Sequence, residues 1–394
     1  MNKWIESASR DLAEQLHAVR QISASLQTTK VQEPSQEKWL GHSPVMDELN
    51  FDESKCESAE VRGEPQALTE SQARQGPKRQ HFSLVDFAER VEWANGLAGE
   101  TSEVMRGALR KAGALGQTRF LTLPPTGAAL AAIAEDFPNF LEVTEFVRRR
   151  VLLCEMVSRA PFKLPPILLS GPPGTGKTAF SQRLAQVVNT PITCIDVSTL
   201  DTACKLTGLD AGYSTGHPGL VWDALQQECM SPIILLDELD KHPTDIRYAS
   251  LACLLGLLEP VSARRYQDSA LRLPIDASYV IWIATCNNLN EIDAPLRSRF
   301  KSFHISPPDK KQSQAVVRSV HRALRVAEDW AQAFEPELSL EVETTLIGYT
   351  PRAIRQALED GYAQAAACGR RKLLPQDLSS PTRYEQPRTS MGFI

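Results

Sequence analysis

Several marks of other protein classes are missing from this sequence. Its eight cysteines include no pair spaced C-x-x-C, and Cys194, Cys253 and Cys286 lie inside apolar runs, which favours reduced, buried thiols over disulfides or zinc ligands. No stretch is apolar over a length that could cross a bilayer, and the first residues lack the apolar core of a signal peptide. These absences predict a cytoplasmic protein without a structural metal.

A large excess of positive charge is also missing. The 394 residues carry 43 Lys and Arg against 48 Asp and Glu, a net charge of −5, which does not indicate a nucleic-acid or anionic membrane partner. Arg148, Arg149 and Arg150 are consecutive, but adjacent helical residues point to different sides, which favours a solvated face over a nucleic-acid contact. With 42% hydrophobic residues, the chain can bury a large core and is long enough for about two or three domains.

The strongest motif begins with a short apolar run, Ile167–Leu169, which is typical of a strand buried on both faces. This run continues into the pattern G-x-x-x-x-G-K-T, whose glycines allow backbone N–H groups to curl around a phosphate. Lys177 would reach the β- and γ-phosphates, the Thr178 hydroxyl would bind Mg²⁺, and the helix that follows would add its dipole. The predicted nucleotide-binding residues of this loop are Gly171, Pro172, Pro173, Gly174, Thr175, Gly176, Lys177 and Thr178.

A second motif is the branched apolar run Ile233–Leu236, which ends in Asp237 and Glu238. Two carboxylates at the carboxyl end of a buried strand lie where ligands bind in open α/β sheets. We expect Asp237 to hold Mg²⁺, directly or through water, and Glu238 to polarise the water that attacks the γ-phosphate. The alternative, in which Asp237 only caps the following turn, is disfavoured by the phosphate-binding motif upstream.

A third apolar run, Tyr279–Thr285, leads to Asn287, and a fourth covers Phe303–Ile305. Strands that alternate with helices and short loops predict a parallel sheet covered on both faces, which would bring Asn287 to the same rim as the first two motifs. Its amide would position the attacking water there. Residues 310–370 then change to helical periodicity. The predicted fold class is an α/β, parallel-sheet P-loop NTPase core followed by a small all-helical lid domain.

The amino-terminal part has a different composition. Residues 1–28 place apolar side chains at helical spacing, which predicts an amphipathic helix, either a coiled-coil seam or a helix docked on its own protein. Residues 29–82 are rich in Gln, Glu, Ser, Lys and Pro, which predicts a disordered linker. The full predicted division is a helix over 1–28, a linker over 29–82, a helical segment over 83–135, the α/β domain over 136–308, the lid over 309–378 and a flexible tail over 379–394.

Together these motifs resemble an AAA+ ATPase and, within that superfamily, the ATPase module of Lon proteases. The resemblance covers about Asp136 to Leu378 and rests on the phosphate-binding loop, the paired carboxylates and several further stretches. These stretches are Leu235–Lys241 (LLDELDK), Leu254–Pro260 (LLGLLEP) with Tyr266, Asp268, Leu271 and Pro274 behind it, Ile283–Asn287 (IATCN) and Gly212–Gly219 (GYSTGHPG).

The resemblance implies roles for individual residues. Asn287 resembles the sensor 1 residue, which detects the γ-phosphate. Arg299 resembles the arginine finger that reaches a neighbouring subunit, with Arg297 as the second candidate, and Arg355 resembles the sensor 2 arginine of the lid. Permanently charged guanidinium groups suit a transferring phosphoryl group, although surface ion pairs are the alternative for these arginines.

The resemblance also implies a residue that contacts the polypeptide substrate of the ATPase. Tyr213 resembles the pore-loop aromatic that grips a threaded polypeptide. Ser214 follows it, where Lon usually has an aliphatic residue. A buried loop tyrosine is the alternative.

The function that the resemblance implies is that of a ring, a hexamer, whose subunits hydrolyse ATP with Mg²⁺ and remodel or unfold a protein client. Only about twenty residues follow Leu374, so we expect no peptidase domain and no intrinsic peptidase activity. Two alternatives stay open, a nucleic-acid-associated motor or loader and an ATP-gated assembly scaffold.

Overall fold

The computed structural model describes residues 75–378, with short gaps. The gaps are Ala98, 158–159, Asp201, Ala203 and 242–246. The helix predicted over 1–28, the predicted linker up to residue 74 and the tail predicted over 379–394 lie outside the described residues.

Nine strands form three sheets in this part of the chain. They are β1 (Gln75–Gln80), β2 (Thr118–Thr122), β3 (Ile167–Ser170), β4 (Ile192–Asp196), β5 (Ile233–Asp237), β6 (Tyr266–Gln267), β7 (Pro274–Ile275), β8 (Ile281–Cys286) and β9 (Lys301–His304). Five of them, in the order β4-β5-β8-β3-β9, form a parallel sheet, and β1 with β2 and β6 with β7 form antiparallel pairs. The predicted parallel sheet is confirmed, although β8 starts two residues later than the apolar run suggests.

Thirteen α-helices occur in the described residues. They are α1 (Leu84–Gly96), α2 (Glu100–Ala114), α3 (Gly127–Asp136), α4 (Leu141–Glu155), α5 (Lys177–Val188), α6 (Cys204–Thr207), α7 (Leu220–Ala224), α8 (Arg247–Leu258), α9 (Pro260–Ala263), α10 (Ala294–Arg297), α11 (Lys310–Ala327), α12 (Leu340–Leu346) and α13 (Pro351–Ala367).

Each face of the parallel sheet has its own hydrophobic core, because side chains alternate between the faces along a strand. Leu168 of β3 lies in one core, whereas Ile167 and Leu169 lie in the other. The core that contains Leu168 is covered by α1, α2, α7 and α8, and the opposite core is covered by α3, α4 and α5. The central strands β3, β5 and β8 are buried on both faces, which explains why each consists mainly of a run of apolar residues.

The structure differs from the predicted division on the amino-terminal side of residue 136. Leu130 and Ile133 of α3 share the core of the parallel sheet, so the α/β domain begins earlier than predicted. Helices α1 and α2, predicted as part of a separate helical segment, pack on the opposite core through Phe87 and Met105. Periodicity identifies the apolar face of a helix, but it does not identify the surface on which that face packs.

The antiparallel pair of β1 and β2 is absent from the sequence-based prediction. β1 occupies the last part of the linker predicted over 29–82, and β2 interrupts the helical segment predicted over 83–135. The sequence of β1, QGPKRQ, has no alternation of apolar residues, and its strand conformation depends on pairing with β2. Phe82, which follows β1, is buried in the core, so the linker prediction is wrong from residue 75 onward.

The lid is formed by α11, α12 and α13, which enclose a third hydrophobic core. α11 begins after Asp309, whose side chain forms a capping box with Gln312. α13 begins after Thr350, with Pro351 in its first turn, as the sequence predicts. No described helix combines the length and the apolar composition that a membrane span requires.

One cysteine prediction is wrong. Cys194 is exposed, because it lies on β4, the edge strand of the parallel sheet. Cys253 is half-buried and Cys286, on a central strand, is buried. An apolar run therefore identifies a strand without identifying its place in the sheet.

Candidate functional site

The glycine-rich loop joins β3 to α5 and takes a shape that glycine allows. Gly174 and Gly176 have φ angles of +78° and +96°, in the left-handed region that other residues rarely adopt. At Gly171, a Cβ would lie 2.2 Å from the carbonyl oxygen of Ile305, which excludes any side chain. β3 therefore leads into a tight backbone loop at the amino end of α5, as the motif predicts.

Lys177 begins α5, and its side chain folds back over the loop. Its Nζ donates hydrogen bonds to the carbonyl oxygens of Gly171 (2.7 Å) and Pro172 (3.0 Å) and to Oδ1 of Asn287 (3.1 Å). Burial lowers the pKa of this ammonium group, and nearby carboxylates oppose that shift. An ammonium group held by neutral oxygens can exchange them for the stronger bonds that a phosphate offers.

Thr178 and Asp237 meet at the carboxyl end of β5. The Thr178 Oγ1 donates to the two carboxylate oxygens of Asp237, at distances of 3.1 and 2.9 Å. Hydroxyl and carboxylate oxygens are hard ligands of the kind that Mg²⁺ takes. The two residues predicted to bind the metal are therefore in contact, because parallel strands end at the same edge of the sheet.

Thr285 of β8 connects the two carboxylate residues that end β5. Its hydroxyl donates to Asp237 Oδ1 and accepts the backbone N–H of Glu238, at 3.0 Å. Glu238 has a φ angle of +56°, which is unusual for a residue with a side chain, and its carboxylate accepts a hydrogen bond from Lys241 Nζ at 2.8 Å. Sequence reasoning misses Thr285 as a positioning residue, although it lies within the stretch IATCN.

Asn287 lies beside the loop, as predicted, and Asp240 holds it there. Asp240 Oδ2 accepts the backbone N–H groups of Asn287 (2.9 Å) and Asn288 (2.8 Å). Its other oxygen, Oδ1, is buried without a hydrogen-bond partner in the described part of the chain. Asp240 lies in the stretch LLDELDK, but its contact with Asn287 depends on the register between β5 and β8 and could not be predicted from that stretch.

Arg299 and Arg297 do not join this cluster within the chain. Arg299 Nη1 donates to the carbonyl oxygen of Pro295 at 2.9 Å, and its Nε is buried without a hydrogen-bond partner among the described residues. Arg297 Nη1 donates to the carbonyl oxygen of Leu289 at 3.5 Å. Over residues 75–378, outside the gaps, neither arginine forms an ion pair.

Arg355 is engaged within the lid rather than at the loop. It forms ion pairs with Glu359 (2.7 Å) and Glu328 (3.2 Å). The start of its helix does approach the loop, since a Cβ on Gly174 would lie 3.3 Å from the Cβ of Thr350. The lid therefore contacts the phosphate-binding loop, while its predicted sensor faces acidic side chains of the lid.

Tyr213 lies on the loop between α6 and α7. Its exposed fraction is 63%, so the alternative of a buried tyrosine is wrong. The loop is closed by two backbone hydrogen bonds between Leu209 and His217, at 2.8 and 3.2 Å, which form an antiparallel bridge. An ordered loop therefore presents an aromatic side chain to solvent.

The sheet and the loop that bear these residues lie in a part of the chain that is similar to a known family. Residues 167–307 match the family described as ATPase family associated with various cellular activities (AAA). On the basis of this similarity alone, we refer to residues 167–307 as the AAA domain. This domain contains the whole parallel sheet, the phosphate-binding loop and the residues from Lys177 to Arg299.

Two curated relatives of this AAA domain are Lon proteases. Lon protease 4 of Sorangium cellulosum (strain So ce56) is 34% identical over 176 residues, which cover 44% of this chain and 22% of the relative. The peroxisomal Lon protease homolog 2 of Oryza sativa subsp. indica is 29% identical over 219 residues, which cover 54% of this chain and 24% of the relative. The AAA domain is thus Lon-like, and the chain spans less than a quarter of the length of these relatives.

A solved structure with a similar fold is the S. cerevisiae Hsp104:casein complex in its extended conformation. The two chains have a TM-score of 0.51 and are 16% identical, over 76% of this chain and 61% of that chain. At this identity the similarity supports the AAA fold alone.

For this AAA domain, we predict that Thr285→Val lowers the rate of ATP hydrolysis about tenfold and leaves ATP affinity unchanged. Valine keeps the shape of threonine, but Asp237 loses a donor and the Glu238 N–H loses its acceptor, a cost of about 1–3 kcal/mol. Steady-state ATPase rates and binding of a fluorescent ATP analogue separate the two effects. Thr285→Ser is the matched control, since it keeps the hydroxyl. An equal loss of ATPase rate in both variants would mean that the rate depends on the packing of residue 285 rather than on its hydroxyl.

Proposed function

We propose that this chain hydrolyses ATP and uses the free energy to remodel or unfold a protein client. The observation that carries the proposal is the cluster at the carboxyl edge of the sheet, where Lys177 and Thr178 of the phosphate-binding loop meet Asp237 and Asn287. The match to the AAA family and the similarity to Lon proteases support the same chemistry.

Each residue of the cluster has a separate part in the proposed reaction. The backbone N–H groups of the loop and Lys177 bind the β- and γ-phosphates, and Glu238 polarises the attacking water. Thr178 and Asp237 would hold Mg²⁺, which neutralises phosphate charge when it is bound. Asn287, whose backbone is fastened by Asp240, orients the water.

We further propose that the site is completed between subunits of a ring, a hexamer. Arg299 suits a finger that acts on a neighbouring subunit, because its Nη1 donates to the backbone carbonyl of Pro295 and its guanidinium has no ion pair among the described residues. Such a group gains most from an anion that another subunit presents. Arg355 would exchange Glu328 and Glu359 for the phosphate when the lid moves.

The proposed contact with the client is Tyr213. An exposed aromatic ring with a hydroxyl can grip a polypeptide of any sequence, because it offers apolar area and one hydrogen-bonding group. Both named relatives are proteases, which favours a polypeptide over other polymers as the client. The cytoplasmic location and the lack of peptidase activity remain predictions.

The basic run gives little support to the alternative of a nucleic-acid-associated motor. Arg148 and Arg149 are exposed, and both form ion pairs with Glu145, at 2.7 and 3.2 Å. Arg150 lies over the ring of Phe146, with 5.3 Å from its guanidinium carbon to the ring centroid. These arginines therefore have partners within their own helix.

We predict that casein raises the ATPase rate of the wild-type protein and that Tyr213→Ala lowers the stimulated part of the rate about fivefold, the effect of losing one aromatic contact of about 1 kcal/mol. The basal rate should stay unchanged, because the exposed side chain of Tyr213 takes no part in the nucleotide cluster. Phosphate release with and without casein measures both quantities.

Tyr213→Phe is the matched control, because it keeps the aromatic ring. Stimulation by DNA or RNA but not by casein would contradict a protein client and favour a motor or loader. A rate that neither polymer changes would favour an ATP-gated scaffold. Casein should remain intact on a gel during the assay, and its cleavage would contradict the predicted lack of peptidase activity.

A further inference from the structure

The loop that carries Tyr213 is held at its tip by a helix that precedes the AAA domain. Thr101, in the first turn of α2, donates its hydroxyl hydrogen to the carbonyl oxygens of Ser214 (3.1 Å) and Tyr213 (3.4 Å). Its side chain is buried, and a Cβ on Gly216 would lie 3.1 Å from its methyl carbon. Since the family match starts at residue 167, this contact joins the loop to a part of the chain outside that match.

Asp268 holds the base of the same loop. Its carboxylate is fully buried and accepts the N–H groups of Gly219 (2.8 Å), Ala270 (2.9 Å) and Leu271 (3.3 Å). At the other end of the loop, Gly208 has a φ angle of +89°, and a Cβ there would lie 2.5 Å from the carboxylate. Both ends of the loop therefore contact one side chain. Burial raises the pKa of the Asp268 carboxyl group to about 6, and the three backbone donors oppose that shift.

The part of the loop between its tip and its base also packs on the protein. Asp210 forms an ion pair with Arg272 and accepts the N–H of Gly212 at 2.8 Å. Ala211 packs against the hydrophobic core that also contains Met105 of α2. A loop with contacts at its tip, flank and base has few alternative conformations of low free energy.

We propose that α2 is a brace for the Tyr213 loop. Through Thr101, it fixes the loop in the projecting conformation and makes the loop stiff enough to transmit nucleotide-driven motion to a polypeptide. This inference rests on the proposed function, because it takes Tyr213 as the contact with the client. The helices that precede the AAA domain thereby determine how strongly the ring acts on its client, without changing the nucleotide cluster.

The physical reason is the entropy of the loop. A loop that samples many conformations absorbs the displacement of its base, since the force is lost in reorienting the backbone. A hydrogen bond from a buried threonine to two consecutive carbonyl oxygens removes that freedom at the residue that touches the client. Loss of the brace should therefore lower the client-stimulated ATPase rate and leave the basal rate unchanged.

The first test measures the conformation of the loop without reference to any activity. Chymotrypsin cleaves after exposed tyrosines, and limited proteolysis followed by mass spectrometry gives the rate of cleavage after Tyr213. We expect Thr101→Val to raise this rate about fivefold, because cleavage follows the population of the open loop, which depends on the lost hydrogen bond. Thr101→Ser keeps the hydroxyl and should behave like the wild type. Equal rates in all three proteins would overturn the brace.

The second test measures the consequence for the client. The ATPase rate of full-length Thr101→Val is compared with that of Thr101→Ser, with and without casein. We expect the casein-stimulated part to fall about threefold in the valine variant, because a looser loop transmits less of the motion, while the basal rate stays within about twofold of the wild type. A stimulated rate equal to that of the serine variant would overturn the functional part of the proposal.

The two tests separate failure of the brace from failure of the proposed function. If casein does not stimulate the ATPase activity of the wild-type protein, the proposed client class is wrong. The proposal that the brace affects the client is then wrong as well. The cleavage rate after Tyr213 still decides whether α2 restrains the loop. If casein stimulates the wild type and Thr101→Val changes neither readout, the proposed function stands and the brace is overturned.

Discussion

Glu238→Gln is expected to lower ATP turnover about a hundredfold or more while ATP binding is retained, because a positioned general base contributes about 10²–10⁴ in rate. Glutamine has nearly the shape of glutamate, but its amide cannot accept a proton from water. The backbone position of residue 238 should survive, since Thr285 bonds its N–H rather than its side chain. Phosphate release measures turnover, and a fluorescent ATP analogue measures binding.

The matched control for this variant is Glu341→Gln, which makes the same change on an exposed surface of α12. It should leave turnover and binding unchanged. A Glu238→Gln protein that hydrolyses ATP at the wild-type rate would show that another group activates the water. If the assignment holds, the slowed protein in ATP should retain its client, and a pull-down with this variant would identify what stays bound.

Lys177→Ala is expected to abolish detectable ATP binding and, with it, hydrolysis. The Lys177 ammonium now bonds two carbonyl oxygens and Asn287 Oδ1, and it would transfer to the phosphates of ATP. Loss of two charge-assisted hydrogen bonds, at about 1.5–3 kcal/mol each, should raise the dissociation constant by about two orders of magnitude or more. Equilibrium binding of a fluorescent ATP analogue measures the change.

Lys177→Met is the matched control for lost packing, because methionine fills similar volume without a charge or a donor. Both variants should lose binding equally if the ammonium is what matters, and recovery of binding in the methionine variant would contradict the assignment. Thermal melting checks folding, since three acceptors lose their donor in either variant. A protein that melts at the wild-type temperature but does not bind ATP supports a direct role.

The Lys177→Ala variant also tests whether the nucleotide site is shared between subunits. Lys177→Ala subunits would keep an intact Arg299, and Arg299→Ala subunits would keep an intact phosphate-binding loop. If Arg299 acts on a neighbour, mixing the two inactive proteins should restore part of the ATPase activity, because some interfaces then contain both groups. No recovery at any mixing ratio would contradict action between subunits.

Much of the nucleotide cluster could be predicted because its residues lie at the ends of apolar runs or in the loop that follows one. Asp237 ends β5, Asn287 directly follows β8, and Lys177 follows β3 after the phosphate-binding loop. The apolar runs in these three strands indicate burial on both faces. Parallel strands end at one edge of a sheet, so residues at those ends meet there without further information. The contact between Thr178 and Asp237 and the bond from Lys177 to Asn287 agree with this reasoning.

The supporting contacts could not be predicted in this way. Thr285 and Asp240 act through a hydroxyl and a carboxylate whose partners lie on another strand or loop, at positions set by register. Arg355 was assigned to the nucleotide by resemblance alone, and the structure pairs it with two glutamates of the lid. A long charged side chain can form an ion pair with any of several groups within its reach, and only the folded structure shows which groups those are.

The amino-terminal helices show the same limit at the level of the fold. Their periodicity indicates α1 and α2, but it does not show that both pack into the core on one face of the parallel sheet or that Thr101 reaches the Tyr213 loop. Local patterns of burial and of glycine in the sequence are enough to predict the parallel sheet, the phosphate-binding loop, the paired carboxylates and the helical lid. The helices that cover the sheet, the side chains that bond the paired carboxylates and the contacts of the Tyr213 loop are visible only in the folded protein, because they depend on contacts between residues far apart in the chain.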